Sequence, residues 1–112
     1  MTLREIQIAV HALAQKSGWW EEWEETPANI AAKLALIHSE VSEALEEIRV
    51  REPRERQLSQ SGKPEGFGPE LADVVIRCLD LAAGLDIDLQ SEIALKHSYN
   101  LTRSHRHGGK AL

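Results

Sequence analysis

The sequence has little cysteine, no long apolar run and no excess of positive charge, and each absence excludes a class of protein. Cys78 is the single cysteine, so no intrachain disulfide can form, and its place on the apolar side of a predicted helix favours core packing. No segment approaches the ~20 apolar residues of a membrane span. The formal net charge of −5 argues against a general nucleic-acid-binding protein, because phosphate backbones require a basic surface.

Length and the first residues set two further expectations. A chain of 112 residues suffices for one domain, residues 1–112, whose modest core a partner subunit would help to complete. Met1 to Gln7 lack the basic start and apolar run of a secretory signal, so we expect a cytoplasmic location and no membrane partner.

Apolar residues recur at helical spacing in four segments, and no segment has a convincing strand pattern. The predicted helices cover residues 2–16, 27–49, 69–83 and, from 86 or 88, up to about 104. Thr26 and Pro27 are typical of a helix start. Pro69 indicates another start, and Gly84 is a natural stop. The predicted fold class is all-α, a four-helix bundle-like domain completed by dimerisation.

Two segments lie outside these helices. Residues 50–68 form a charged loop with several glycines and prolines and no apolar period. Loops of this length are often functional or mobile. Residues 105–112 form a tail that contains Gly108 and Gly109 and is expected to be flexible.

The second predicted helix carries an apolar stripe and, roughly 100° away around the helix, an acidic one. The apolar stripe is expected to enter the core and consists of Ile30, Leu34, Ile37, Val41, Leu45 and Ile48. Glu40, Glu43 and Glu47 share a face because they are three and four residues apart. Taken alone, such an acidic stripe is typical of a solvated surface.

The third predicted helix is apolar almost all round but keeps a narrow polar strip, which consists of Glu70, Asp73, Arg77 and Asp80. Buried carboxylates require an ionic partner or a cation, since an unpaired buried charge is costly. Arg77, four residues after Asp73, is one candidate partner. The alternative is that acids of both helices converge on a hard cation, Mg²⁺ or in its place Mn²⁺.

The fourth predicted helix begins with an apolar stripe that then becomes polar. Leu89 and Ile93 are followed on the same stripe by Lys96, Asn100 and Arg103. Cations at positions expected in the core are typical of a functional site, and these suit a ligand with several phosphate oxygens. The alternative is that the helix end frays into solvent, where cations near a C-terminus are favourable.

Together these residues resemble the MazG-like all-α nucleoside triphosphate pyrophosphohydrolase superfamily. Its motif is E-x-x-E, a gap of variable length, and E-x-x-D, which Glu40-Val41-Ser42-Glu43 and Glu70-Leu71-Ala72-Asp73 match. Downstream, Lys96-His97-Ser98-Tyr99-Asn100 with Arg103 is similar to the phosphate-side segment of small members. The resemblance covers residues 30–110, and the charged insert 50–68 departs from the family pattern.

The resemblance implies a homodimeric or homotetrameric enzyme that cleaves (d)NTP to (d)NMP and pyrophosphate, in pool control or removal of aberrant nucleotides. By position it implies that Mg²⁺ is held by Glu40, Glu43, Glu70 and Asp73. It implies that Lys96, Asn100, Arg103 and Tyr99 contact the substrate. Either Glu43 or Glu47 would take the proton from the attacking water, and Glu40 completes the catalytic set.

Two other interpretations stay open. One is a narrower enzyme of the same fold that acts on dUTP, dCTP or phosphoribosyl-ATP. The other is a non-catalytic helical dimer that binds nucleotide or a protein partner, with the acids as ordinary surface.

Three tryptophans stand out because the chain has few aromatic residues. Trp19, Trp20 and Trp23 follow the first predicted helix, and a base stacked on one of them would gain ~1–3 kcal/mol. The resemblance implies a base pocket near Trp19 and Trp23. The alternative is burial in the core or in a dimer interface.

Overall fold

The computed structural model describes residues 1–111, apart from the side chain of His107, and it is mainly helical, as predicted. The elements are α1 (Leu3–Lys16), α2 (Pro27–Val50), β1 (Gln57–Leu58), β2 (Pro64–Glu65), α3 (Phe67–Gly84), α4 (Leu89–Asn100) and α5 (Arg106–Gly109). Leu112, the end of the predicted tail, lies outside the described residues. None of the described helices combines the length and hydropathy needed to cross a bilayer.

The first two helices begin where side chains cap their free backbone N–H groups. Thr2 and Glu5 form a reciprocal capping box at the start of α1. The Thr26 hydroxyl accepts a hydrogen bond from the backbone N–H of Asn29 at 3.1 Å, with Pro27 in the first position of α2. Because these capping signals are local, the starts of both helices could be predicted from the sequence.

Both ends of α3 are set by close contacts that the sequence does not reveal. The helix begins before Pro69, at Phe67, because Gly66 adopts a φ of 135°. A Cβ at Gly66 would lie 2.5 Å from the carbonyl oxygen of Glu55, so this position requires glycine. Gly84 ends the helix as predicted, but its physical role is packing, since a Cβ there would overlap the ring of Trp20.

The charged insert contains a small hairpin, so the prediction that the chain has no strand is wrong here. β1 and β2 pair antiparallel, with Gln57 opposite Glu65. At the turn, the backbone N–H of Ser59 donates to the carbonyl of Lys63 at 2.9 Å, and the N–H of Gly62 donates to the carbonyl of Ser59 at 2.9 Å. The strands are too short and too charged to produce an alternating apolar pattern.

The end of the chain also differs from its predicted bounds. Asp88 caps α4, with its side chain 2.9 Å from the Ser91 hydroxyl, and the helix ends at Asn100 rather than near residue 104. The segment predicted as a flexible tail includes the short helix α5.

α3 lies between the other long helices and supplies most of the buried apolar side chains. The buried apolar residues are Ala44, Leu79, Leu81 and Ala82. Gln7 of α1 is fully buried; its side-chain amide donates to the carbonyl of Ile87 at 2.8 Å and accepts from the N–H of Leu89 at 3.2 Å. This pair of bonds fixes α1 to the start of α4.

α2 turns a polar face toward α3, and the prediction that its apolar stripe enters the core of the chain is wrong. The buried or half-buried positions of α2 include Lys33, Ile37, Glu40, Ala44 and Glu47, which are three or four residues apart. Four members of the predicted stripe, Leu34, Val41, Leu45 and Ile48, are 43% to 55% exposed. One residue of the polar strip of α3, Arg77, forms an ion pair with Glu40 of this face.

Candidate metal centre and adjoining clefts

Three glutamates from two helices converge at one point. Glu40 and Glu43 share a face of α2, and Glu70 lies in the first turn of α3. Each residue offers a carboxylate oxygen, and these oxygens all lie within 4.8 Å of one another. Like charges this close repel, so the arrangement calls for a proton or a cation among them.

Glu70 has the least satisfied carboxylate of the three. The residue is 9% exposed, and its Oε2 atom is buried with no hydrogen-bond partner among the described residues. Burial raises the pKa of Glu70, and the negative charges of Glu43, Asp73 and Glu40 raise it further. A buried carboxylate oxygen without a donor is costly, and a bound cation would satisfy it.

Arg77 pairs across the helix interface. Its Nε atom donates to Oε1 of Glu40 at 2.6 Å. Helical spacing indicates Asp73, on the same helix, as the candidate partner. The difference arises because the α2–α3 packing brings Glu40 to the guanidinium. Asp73 is half-buried, and its charge acts on Glu70.

The fourth residue of the polar strip, Asp80, has a structural role in the described chain. It accepts hydrogen bonds from the indole Nε1 of Trp20 at 3.0 and 3.1 Å, and it bonds Nδ1 of His11 at 2.8 Å. The His11 and Trp20 rings meet edge to face, with centroids 5.1 Å apart. Asp80 therefore joins α3 to α1 and to the segment that follows it.

A cleft of about 370 Å³ adjoins the acidic cluster. Its charged wall contains Lys33, Glu40, Asp73, Arg77 and Asp80, and its apolar wall includes Leu13, Leu36 and Ile76. A cleft with an apolar wall and a few convergent charged groups is the usual form of a small-ligand site.

The residues present fit a hard divalent cation. The candidate ligands Glu40, Glu43, Glu70 and Asp73 offer only carboxylate oxygens, the ligands that Mg²⁺ prefers, and Mn²⁺ takes the same donors. The Oε2 atom of Glu70, which is buried with no hydrogen-bond partner among the described residues, would gain a partner in such a cation.

No family model, curated protein or solved structure matches the chain. The resemblance to the MazG-like superfamily therefore depends on the motif residues alone.

The three tryptophans take different positions. Trp19 is 69% exposed and lines the 370 Å³ cleft. Trp20 is packed on Gly84, and Lys33 Nζ lies 4.0 Å from its ring centroid. Trp23 packs edge to face on Trp20 at 4.9 Å. Of the two tryptophans predicted to meet a base, only Trp19 presents an open ring to this cleft.

Glu47 is held by a local ion pair. Its Oε2 atom lies 2.8 Å from Nε of Arg51, and both side chains are largely buried. The structure places Glu47 outside the group of three converging glutamates. Of the two candidate bases, Glu43 is the one that belongs to the cluster and is exposed to solvent.

The predicted phosphate-binding residues lie on the exposed end of α4 and the turn after it. Lys96, Tyr99, Asn100 and Arg103 are all exposed. The Lys96 ammonium and the Arg103 guanidinium each lie 5.7 Å from the Tyr99 ring centroid. None of the four is among the residues that line the two clefts beside the acids.

Sequence reasoning overlooked several cations near the acids. Lys33 lies on the same face of α2 as Glu40, seven residues earlier, and this spacing was an available signal. Arg54, Arg56 and Lys63 of the insert line a second cleft that Asp73 also borders. No sequence pattern indicates their placement, because it depends on how the hairpin folds against α3.

Proposed function

We propose that the chain is a Mg²⁺-dependent pyrophosphohydrolase of the MazG-like kind that converts (d)NTP to (d)NMP and pyrophosphate. The observation that carries this proposal is the convergence of carboxylate oxygens of Glu40, Glu43 and Glu70 within 4.8 Å of one another. It is joined by the Oε2 atom of Glu70, which is buried with no hydrogen-bond partner among the described residues. Beside it lies a cleft with two further cations and an apolar wall, which suits a phosphorylated ligand with an apolar ring.

In this proposal Glu40, Glu43, Glu70 and Asp73 hold the metal. When held by these residues, Mg²⁺ would supply positive charge for the phosphate groups and would make the attacking water more acidic. Lys33 faces the same cleft and would offset part of the remaining phosphate charge, while Arg77 stays paired with Glu40. Phosphoryl transfer requires this kind of positioning and charge neutralisation more than covalent chemistry.

The reaction balances with water as the only co-substrate. The water oxygen forms a bond to the α- or β-phosphorus while the anhydride bond between these two phosphorus atoms breaks. Glu43 accepts the proton, because it is the exposed member of the cluster and Glu47 is engaged by Arg51. The products are a monophosphate and pyrophosphate.

We further propose that two copies associate through exposed apolar side chains of α2 and α3. These include Leu34, Val41 and Leu45 of α2 and Leu71 and Val75 of α3, each 46% to 55% exposed. The chain exposes 8517 Å², whereas a monomeric globular protein of 12.5 kDa exposes about 6,200 Å². The excess of about 2,300 Å² per chain is in the range that obligate dimers bury.

A dimer also gives the end of α4 a role. Lys96, Asn100 and Arg103 do not line the clefts beside the acids of their own chain. Their proposed contact with phosphate therefore requires that α4 of one subunit approach the acidic cluster of the other.

The proposal is tested by measuring pyrophosphate release from a panel of canonical and modified nucleotides, with Mg²⁺ and with excess chelator. Glu70→Gln should abolish release, and Glu46→Gln is a matched control on an exposed part of α2, where Glu46 pairs only with Arg49 at 3.0 Å. A panel with one strong substrate would indicate the narrower enzyme. If the wild type binds nucleotides but does not hydrolyse them, the chain is a nucleotide-binding protein and not an enzyme.

A further inference from the structure

The hairpin (residues 52–66) forms a second cleft on α3, of about 910 Å³. One wall carries Arg54, Glu55, Arg56 and Lys63 of the hairpin, and the other includes Pro69 and Asp73 of α3. Asp73 also lines the 370 Å³ cleft, so it borders both. A ligand held at Asp73 therefore has open space toward the hairpin cations.

The hairpin is fixed at its base. Gly66 passes so close to the carbonyl of Glu55 that a Cβ would not fit, and the Gly66 carbonyl accepts from the N–H of Glu70 at 3.2 Å. The turn is closed by bonds between Ser59 and Lys63. The hairpin therefore presents its cations at a defined place beside the start of α3.

Two of the three cations have charge available for a ligand. Arg54 is paired with Glu52 at 2.6 Å. Neither Arg56 nor Lys63 forms an ion pair within residues 1–111. The first turn of α3 adds the positive end of a long helix on the same side, where anions are favoured. With Arg54 paired, Arg56 and Lys63 outweigh Glu55 on the hairpin wall, and this excess of positive charge favours an anionic ligand.

We propose that the hairpin holds the terminal phosphates of the substrate, with Arg56 and Lys63 as the cations that contact them. This assignment rests on the proposed function, since Asp73 belongs to its metal ligands. It gives the charged insert a purpose: the phosphates that leave as pyrophosphate extend from Asp73 into the hairpin cleft, while the nucleoside occupies the cleft lined by Trp19. Arg56 supplies a planar fork that matches phosphate oxygens, and Lys63 supplies a point charge.

The test is calorimetric titration of the full chain with inorganic pyrophosphate in Mg²⁺, which requires no turnover. We expect Arg56→Gln and Lys63→Gln each to weaken binding by about tenfold, and Lys16→Gln, an exposed cation outside both clefts, to leave it unchanged. Arg56→Lys should recover part of the loss, and the variants should show a weaker salt dependence than the wild type. Circular dichroism should show unchanged helix content, because the hairpin is on the surface.

The outcomes separate this inference from the proposed enzyme. If the wild type binds pyrophosphate and the two variants lose affinity, the hairpin assignment stands even where no nucleotide is hydrolysed. If nucleotides are hydrolysed and both variants keep the wild-type pyrophosphate affinity and KM, the hairpin assignment is overturned while the enzyme stands. Absence of Mg²⁺-dependent pyrophosphate binding by the wild type overturns the hairpin assignment as well.

Discussion

Replacing Glu70 by glutamine should stabilise the metal-free protein while removing its response to Mg²⁺. The glutamine keeps the shape of the side chain but removes a charge that is buried beside Glu40 and Glu43. At a separation of 4.8 Å, two unit charges interact by about 3.5 kcal/mol at an effective dielectric constant of 20 and by about 1 kcal/mol in water. Glu43 is exposed and Glu40 is neutralised by Arg77, so the repulsion should lie near the lower value. Removing the charge of Glu70 should therefore raise the free energy of unfolding by about 1–2 kcal/mol.

The effect should depend on pH in a defined direction. The pKa of Glu70 is raised in the folded chain above its ordinary value of 4.5, so the folded state binds more protons than the unfolded state between these two values. The stability of the wild type relative to Glu70→Gln therefore falls as pH rises through that interval. Above the raised pKa, Glu70 is fully ionised in the folded wild type. The difference in the free energy of unfolding between the two proteins then no longer changes with pH.

The assay is thermal unfolding in chelator and in Mg²⁺, at one protein concentration, across a pH series. In chelator above the raised pKa, Glu70→Gln should melt higher than the wild type by on the order of 4 °C or more. Mg²⁺ should raise the melting temperature of the wild type and leave that of the variant unchanged. Glu46→Gln, which removes an exposed charge on α2, should match the wild type in both conditions.

Two results would refute the reasoning. A metal-free Glu70→Gln protein that melts at or below the wild-type temperature would show that Glu70 carries no electrostatic penalty. A variant that Mg²⁺ still stabilises as much as the wild type would show that the cation binds elsewhere.

Three further predictions concern packing, assembly and substrate binding. Gly84→Ala should lower the free energy of unfolding by about 1–3 kcal/mol in chemical denaturation, because its Cβ would overlap a tryptophan ring, whereas Gly68→Ala, which has open space around it, should have little such steric cost. Leu45→Glu should convert the proposed dimer to a monomer in light scattering, and Leu58→Glu on the hairpin should not; a dimeric Leu45→Glu protein would exclude this interface. Trp19→Ala should raise the KM for nucleotides by about tenfold or more if a base stacks there, and an unchanged KM would remove that role.

The positions of the helices could be predicted because their signals are local. The Thr26 cap and the period of apolar residues in α2 require no knowledge of the rest of the chain. The direction in which α2 faces could not be predicted the same way. An apolar stripe must pack against other apolar residues. The sequence of one helix does not show whether those residues belong to the same chain or to a partner subunit. Leu45 and Val41 remain half-exposed because α3 meets the charged face that lies beside the apolar stripe.

The residues of the candidate site could be predicted from the sequence, but their contacts could not. Helical spacing joined Glu40 to Glu43, and the polar strip on an apolar helix indicated Glu70 and Asp73. The pairing of Arg77 with Glu40 depends on how two helices pack, which spacing along one helix does not determine. The hairpin cations were less predictable still, because their place depends on one close backbone contact at Gly66.

The convergence of like charges at one end of α3 is tolerated because other contacts hold the helix in place. Asp80 joins the far half of α3 to Trp20 and His11, and Gly84 seats the same tryptophan ring. At the near end the hairpin closes over Gly66, immediately before the turn that carries Glu70. These contacts do not involve the side chains of Glu40, Glu43 or Glu70, so they hold α3 in place without any attraction within the cluster. A local electrostatic cost maintained by distant packing is typical of a functional site, because selection for stability alone would have removed the charge of Glu70.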